Sequence, residues 1–364
     1  VLFRKKKPVI KPRLPEIEEK KRVDETAAIL ASLADPIIVL DAERVVKYAN
    51  QAAMDLFGRI LVGRNIVQCL RQPHVVDAVD HVFETRKDWV GDASFPAPVE
   101  RHLTLHVALV GDGEGVTITV RDTTLEKRTE EMHSDFVANV SHELRSPLSA
   151  LLGFIETLQG PAQDDKEARD RFLDIMVQEA NRMARLIDDL LSLSRVQIQE
   201  HLIPDEAVNL TLVLQNIVDI LSIKAQARDM SLVLNATKQS YWVAGDADQI
   251  TQVFQNLIDN AIKYGTAGTS VEINCHIMDR MPNKDVPGIA VKIKDHGEGI
   301  EDEHLPRLTE RFYRIDKARS RKMGGTGLGL AIVKHIIMRH RGRLNVESTL
   351  GEGSAFTVIL PQKV

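Results

Sequence analysis

The sequence predicts a multidomain α+β protein, and three observations carry that prediction. The chain has 364 residues, more than one ordinary hydrophobic core organises, so two or three domains are expected. Through 125–200 the apolar residues recur by threes and fours, the helical period. On either side, short segments alternate apolar and polar at period two, as half-buried strands do.

The totals exclude some classes. Lys and Arg number 47 against 52 Asp and Glu, a formal net charge of −5, so nucleic-acid binding has no global electrostatic support. Cys69 and Cys275 lie far apart without spacing partners, which suggests neither a disulfide scaffold nor a zinc site and fits a reducing compartment. No run of 18 apolar residues occurs, so no bilayer span is expected.

Residues 1–23 are rich in Arg, Lys and Pro and read as a basic linker. A solvated tail is one reading. The other is the cytoplasmic flank of a membrane helix upstream of Val1, because positive residues collect on that side.

Residues 24–122 read as a small α+β domain. A short helix is expected within 24–33, then strands at 36–41 and 44–49. Asn50 is placed to cap a helix over 51–57. Helical residues follow at 64–86. Strands at 102–109 and 116–120, joined through a Gly-Asp-Gly turn, form a hairpin with one buried face. The order of strands, the Asn-Gln-Ala-Ala helix and a hairpin ending in Arg121-Asp122-Thr123-Thr124 resemble the PAS fold. That family senses ligands or relays signals between protomers. His74 and His81 are candidate ligands, but the prevailing expectation is two surface residues on a polar helix, with no cofactor.

Residues 125–200 read as an antiparallel helical hairpin. The first helix, 125–158, has the stripe Phe136, Val140, Leu144, Leu148, Leu151, Leu152 and Ile155. Pro147 should bend it. Gly160-Pro161 ends it, and a second helix runs 168–196 with Phe172, Ile175, Met176, Met183, Leu186, Ile187, Leu190 and Leu193 on its stripe. One hairpin covers only part of each stripe. A second copy would bury the rest in a four-helix bundle, so a homodimer is predicted. His142 lies off the stripe centre, facing solvent, in the run Ser141-His142-Glu143-Leu144-Arg145-Ser146-Pro147-Leu148. An isolated histidine there would be an ordinary surface residue. With Glu143 beside it, it is also a candidate nucleophile whose ring the carboxylate orients or deprotonates.

Residues 205–364 change to a mixed domain. Helix is expected at 214–227, strands at 232–235 and 241–244, and a helix after Asp248 with Ile250, Val253, Leu257 and Ala261 inward. Asn256, Asn260, Lys263 and Tyr264 then share a neighbouring face. Paired asparagines weaken a helix unless used. Their amide oxygens suit Mg²⁺ beside phosphates, and the lysine suits the phosphates themselves. A strand at 289–294 runs into Asp295-His296-Gly297-Glu298-Gly299-Ile300, where a carboxylate can accept from an adenine amine. Gly324-Gly325-Thr326-Gly327-Leu328-Gly329-Leu330 opens into a helix, a glycine lid whose amides can wrap a triphosphate. It is neither a P-loop nor a dinucleotide fingerprint. Strands at 343–348 and 354–360 close the chain.

Taken together, residues 134–364 resemble the transmitter core of bacterial sensor histidine kinases. SHELRSPL matches their phosphoacceptor box, NLIDNAIKYG the N box, DHGEGI and GGTGLGLAIVKHI two glycine boxes, RFYR at 311–314 the F box, and GEGSAFTV a third glycine box. The resemblance implies a GHKL-type α/β sandwich that binds ATP and Mg²⁺. It further implies autophosphorylation of His142 and transfer to an aspartate of a separate response regulator, with an OmpR/PhoB-like receiver domain. Glu143 would be base or orienting partner, Arg145 would help position the triphosphate, and Glu143 with Ser146 would serve regulator phosphatase activity. Asn260, helped by Asn256, would hold the metal, and Lys263 and Tyr264 would meet the nucleotide. Asp295 would read adenine, while Gly297, Gly299, Ile300 and Phe312 shape its pocket. Gly325, Thr326, Gly327, Leu328, Gly329 and Leu330 form the lid. The layout looks like the phosphate-responsive type, the cytoplasmic portion of an inner-membrane protein. Two alternatives remain: another ATPase of the same nucleotide fold, as in topoisomerases, Hsp90-like chaperones and mismatch-repair proteins, or a non-catalytic dimeric scaffold. The first would lack SHELRSPL and the second would have an eroded pocket.

Overall fold

The computed structural model describes residues 25, 28–58, 60–70, 72–95, 100–111, 113–236, 240–282, 284–316, 319 and 323–363. Residues 1–23, expected as a basic linker, lie outside them, as do 24, 26 and 27 of the short helix expected next. The chain divides into two compact units, Val1–Asp135 and Phe136–Val364.

The first unit is an antiparallel sheet with helices on one face. Its strands are β1 (Ile37–Asp41), β2 (Val46–Ala49), β3 (Trp89–Phe95), β4 (Arg101–Val110) and β5 (Gly115–Asp122), ordered β2-β1-β5-β4-β3 among the described residues. Helices α1 (Gln51–Phe57), α2 (Ile66–Leu70) and α3 (Pro73–Thr85) come between β2 and β3. Val75, Ala78, Val79 and Val82 of α3 share a core with Leu103, Leu105, Val107 and Ile118 of the sheet. Asn50 does more than cap α1. It is 1% exposed, and its Oδ1 accepts from Ile37 and Ala53 amides while its Nδ2 donates to the Leu30, Leu33 and Asp35 carbonyls. One buried amide thereby ties the helical residues 28–32 to the sheet. His74 and His81 are exposed on α3, away from the core.

Helix α4 (Thr124–Gln159) continues unbroken through Pro147, which is buried. A turn over 160–165 leads to α5 (Lys166–Ile198), whose N-terminus is capped by Asp165 accepting from the Ala168 amide. The Phe154 and Phe172 rings stack 5.3 Å apart near the turn. Val137, Leu148, Leu152, Leu173, Val177 and Leu191 remain exposed on this hairpin. The expected stripe therefore divides: Leu186 and Leu193 are instead buried in one core with the domain that follows.

That domain is a sandwich. Helices α6 (Leu210–Gln226), α7 (Ala247–Tyr264) and α8 (Gly329–Arg339) cover a sheet made of β7 (Ser231–Asn235), β9 (Ser270–Met278), β10 (Gly288–Lys294), β11 (Arg343–Thr349) and β12 (Gly353–Pro361). Its order is β11-β12-β10-β9-β7, antiparallel except for the β7–β9 pair. Strands β6 (Ala207–Asn209) and β8 (Trp242–Ala244) pair separately. Helix α6 starts four residues before its expected first turn, because the Asn209 side chain caps it. Ile250, Val253, Phe254, Leu257, Ile258 and Ala261 of α7 are buried against the sheet, which turns the polar face of α7 outward. Buried His340 pins the start of α7: Nδ1 donates to the Ile336 carbonyl and Nε2 accepts from the Asp246 amide at 3.0 Å. Burial lowers its proton affinity, in keeping with a neutral ring.

Candidate functional site

A cleft of about 520 Å³ opens between the polar face of α7, the segment after β10 and the glycine-rich approach to α8. Asn256, Asn260, Lys263 and Tyr264 reach it from α7 because 256, 260 and 263–264 fall on successive turns. Asp295, Gly299 and Ile300 line it from the end of β10, and Gly325, Thr326, Gly327, Gly329 and Leu330 from the opposite side.

Asp295 is 5% exposed. Its Oδ1 accepts from the Gly297 amide at 2.9 Å and the Ser354 amide at 3.3 Å, which fixes the carboxylate plane and leaves Oδ2 for a ligand donor. Burial raises its proton affinity, and those two amides oppose the rise. Gly297 is required by close approach, since a Cβ there would lie 2.4 Å from the Tyr264 carbonyl oxygen. Gly299 has φ +75° and would place a Cβ 2.1 Å from the Thr349 oxygen, so no other residue fits.

The charge around α7 is organised by Asp259. It pairs with Lys263 at 2.8 Å and with Lys224 of α6. Burial pushes its carboxyl up, but the two ammonium groups overcome this and hold it below the ordinary value. Lys263 is thereby held at the cleft by a carboxylate one turn earlier. The Asn256 amide nitrogen is buried and has no hydrogen-bond partner among the described residues. That orphaned N–H group at the cleft wall suits a phosphate oxygen, while the amide oxygens of Asn256 and of Asn260 a turn away are the ligand type that fits a hydrated Mg²⁺ carried on phosphates.

Six expected site residues besides Glu143 lie outside the cleft lining. Leu328 is fully buried in the core. Phe312 does not line the cleft; its ring packs 6.0 Å from Phe136 of α4. Gly297 supports Asp295 from behind the wall. His142, Arg145 and Ser146 are exposed on α4, outside the cleft lining.

Glu143 is partly buried and engaged by residues distant in sequence. Arg182 of α5 donates to its Oε2 at 2.6 Å, and Arg314 donates to the same oxygen at 3.3 Å. Arg314 also donates to the Thr326 carbonyl, and the Thr326 hydroxyl donates to Asp189 of α5 at 2.6 Å. Burial raises the proton affinity of Asp189 against that hydrogen bond. The glycine-rich segment is thus tied to both helices of the hairpin, and Arg185, Asp188 and Asp189 complete the cleft wall. Sequence reading missed Arg182, Arg314, Asp189 and Asp259. Arg314 and Asp259 sit inside the RFYR and NLIDNAIKYG runs, so their neighbourhood was visible, though their partners were not.

The comparisons with known proteins agree with this architecture. The family described as "Histidine kinase-, DNA gyrase B-, and HSP90-like ATPase" matches residues 245–364, "His Kinase A (phospho-acceptor) domain" matches 132–198, and "PAS fold" matches 30–128. The phosphate regulon sensor protein PhoR of Pseudomonas aeruginosa is 34% identical over 340 residues, covering 92% of this chain and 74% of that protein. The sensor protein kinase WalK of Staphylococcus saprophyticus is 31% identical over 351 residues, covering 95% of this chain and 56% of that protein. Among solved structures, histidine kinase ThkA in complex with response regulator protein TrrA aligns with TM-score 0.51 and 22% identity, covering 92% of this chain and 98% of that one, a likeness of fold.

The chain belongs to the sensor histidine kinases. It is a protein-histidine kinase that uses ATP, and its class works as a homodimer with a response regulator as phosphoryl acceptor. Among the described residues no helix is long and apolar enough to cross a membrane.

Proposed function

We propose that His142 is the phosphoacceptor and that the cleft beside α7 holds the ATP that phosphorylates it. The observation that carries this reading is one compact unit holding both an exposed histidine on α4 and a cleft with a fixed carboxylate, paired asparagines and a lysine. Asp295 Oδ2 accepts from the adenine amine. Lys263 and the amides of the glycine segment receive the phosphates, and Tyr264 flanks the nucleotide. Asn260, assisted by Asn256, would hold Mg²⁺, which when bound neutralises phosphate charge.

For the transfer, an imidazole nitrogen of His142 forms a bond to the γ-phosphorus while the bond from that phosphorus to the β,γ-bridging oxygen breaks. The departing electron pair goes to ADP. Glu143 accepts the proton from the other ring nitrogen or orients the ring to lose it. Catalysis is chiefly alignment, so the nucleotide domain must bring its cleft onto the exposed face of α4. The phosphoryl group then passes to an aspartate of a response regulator, proposed to be of the OmpR/PhoB-like class. Glu143 and Ser146 are proposed to serve the phosphatase activity, in which water takes the phosphoryl group from the regulator's aspartate and inorganic phosphate leaves. The 34% identity to PhoR supports a phosphate-responsive setting.

Incubation with γ-labelled ATP and Mg²⁺ tests the core of this reading. Acid-labile, base-stable label on the wild type that vanishes in His142→Gln, with ATP binding retained, is expected. Equal label on both proteins overturns it, and hydrolysis without labelling points to an ATPase of the same nucleotide fold.

A further inference from the structure

Neighbouring residues on a helix diverge by about 100°, so a glutamate does not fall onto the preceding histidine by default. Glu143 has three rotatable side-chain bonds, and some group must choose among its conformers. Arg182 is placed to do so. Its side chain is 7% exposed, and Nη2 donates to Glu143 Oε2 at 2.6 Å. Nη1 lies 3.5 Å from Glu179 one turn earlier on α5. Its Nε is buried with no hydrogen-bond partner among the described residues, so this guanidinium is directed at the two carboxylates rather than spread over many acceptors. Arg314 reaches the same Oε2 at the longer distance of 3.3 Å, and it belongs to the nucleotide domain that must move during the reaction. Arg182 belongs to the hairpin that carries His142. When the two domains part, it is the partner that stays.

We propose that Arg182 is a positioning residue for the phosphoryl transfer: it anchors one oxygen of Glu143 from the second helix, so that the other oxygen addresses the His142 ring. A fixed guanidinium suits this task because its planar fork holds a carboxylate in one orientation, which an ammonium does less well. The inference rests on the proposed role of Glu143, and the experiment separates the two.

The single-turnover rate of His142 phosphorylation is measured against ATP concentration for wild type, Arg182→Gln, Arg182→Lys, Glu143→Gln and the double variant Glu143→Gln/Arg182→Gln. Light scattering and nucleotide binding check assembly. Arg182→Gln is expected to lower the maximal rate about tenfold or more with the ATP concentration for half-maximal rate unchanged. Arg182→Lys should recover part of that loss. Adding Arg182→Gln to Glu143→Gln should change the rate less than twofold, because a residue acting through Glu143 has nothing left to position. A normal rate for Arg182→Gln, or losses that multiply in the double variant, overturns the proposal while leaving Glu143 in place. A normal rate for Glu143→Gln overturns the role of Glu143 itself and this inference with it. Should Arg182→Gln fail to assemble, Arg182→Lys decides: a slowed maximal rate, absent in the Glu143→Gln background, supports positioning, and an unchanged one refutes it.

Discussion

Replacing Asp295 by asparagine isolates the nucleotide-reading atom of the cleft. In the wild type Oδ1 is occupied by the Gly297 and Ser354 amides, so Oδ2 is the oxygen left for a ligand. Asparagine keeps an oxygen for those two amides and turns the other position into a donor. An adenine amine then meets an N–H group where it had met a carboxylate. A hydrogen bond to a charged, buried group contributes about 1.5–3 kcal/mol, so ATP affinity should fall roughly 10- to 150-fold. Asp295→Ala provides the contrast. It leaves two amides without their acceptor, at about 1–3 kcal/mol each if they stay dry, so it should lose stability as well as affinity. Calorimetric titration with ATP, paired with thermal melts, reads both quantities. Wild-type ATP affinity in Asp295→Asn would refute the assignment, and so would equal destabilisation by the two variants.

Other consequences follow from the same geometry. Gly299→Ala forces a Cβ onto a positive φ and against the Thr349 oxygen; a loss of at least about 2 kcal/mol is expected, read as a fall of roughly 5 °C or more in Tm, and an unshifted melt contradicts it. Leu148 and Leu152 are about half exposed in a single protomer, so Leu148→Lys/Leu152→Lys removes about 1 kcal/mol per leucine from a dimer interface and adds charge repulsion. Sedimentation should show a shift from dimer to monomer, and an intact dimer would sink the predicted bundle. The ring of His340 has a depressed proton affinity when folded, so the unfolded chain takes up a proton that the folded one refuses. Its contribution to stability is complete above the ordinary histidine value of 6.5 and is lost as pH falls through that value towards the lower folded one. Histidine NMR signals should show His340 titrating below the ordinary value of 6.5; a midpoint at or above that value contradicts the assignment.

Much of this molecule was legible because its signals are local. Asn50, the four glycines leading into α8 (the last of them its first residue) and the 256–260–263 spacing each declare a turn, a lid or a face within a dozen residues. Three strands escaped, and Ala207–Asn209 is too short to show an alternation. Trp89–Phe95 is an edge strand with Val90 exposed, so its pattern lacks a clean apolar alternation. Ser270–Met278 alternates, burying Val271, Ile273 and Cys275 with Glu272, Asn274 and His276 between them, so its signal was present in the sequence. The ion pairs that join the two hairpin helices to each other and the hairpin to the nucleotide domain were not legible at all. Arg182 and Glu143 are 39 residues apart, Arg314 and Glu143 are 171 apart, and nothing in either local pattern names the other. The same blindness misplaced Leu186 and Leu193: helical spacing predicts which residues are buried, not which of two partners buries them. Phe312 and Leu328 stand inside motif runs, yet they pack the core and the α4 contact instead of lining the cleft.

The central claim concerns where the γ-phosphoryl group arrives, and mass mapping of the phosphorylated protein at alkaline pH measures that directly. After brief incubation with ATP and Mg²⁺, the account predicts a phosphoramidate on the peptide bearing His142, with its formation abolished by Asp295→Asn at limiting ATP. Phosphate on a serine, threonine or other histidine, or ATP held in the cleft with no nitrogen–phosphorus bond formed, would contradict it.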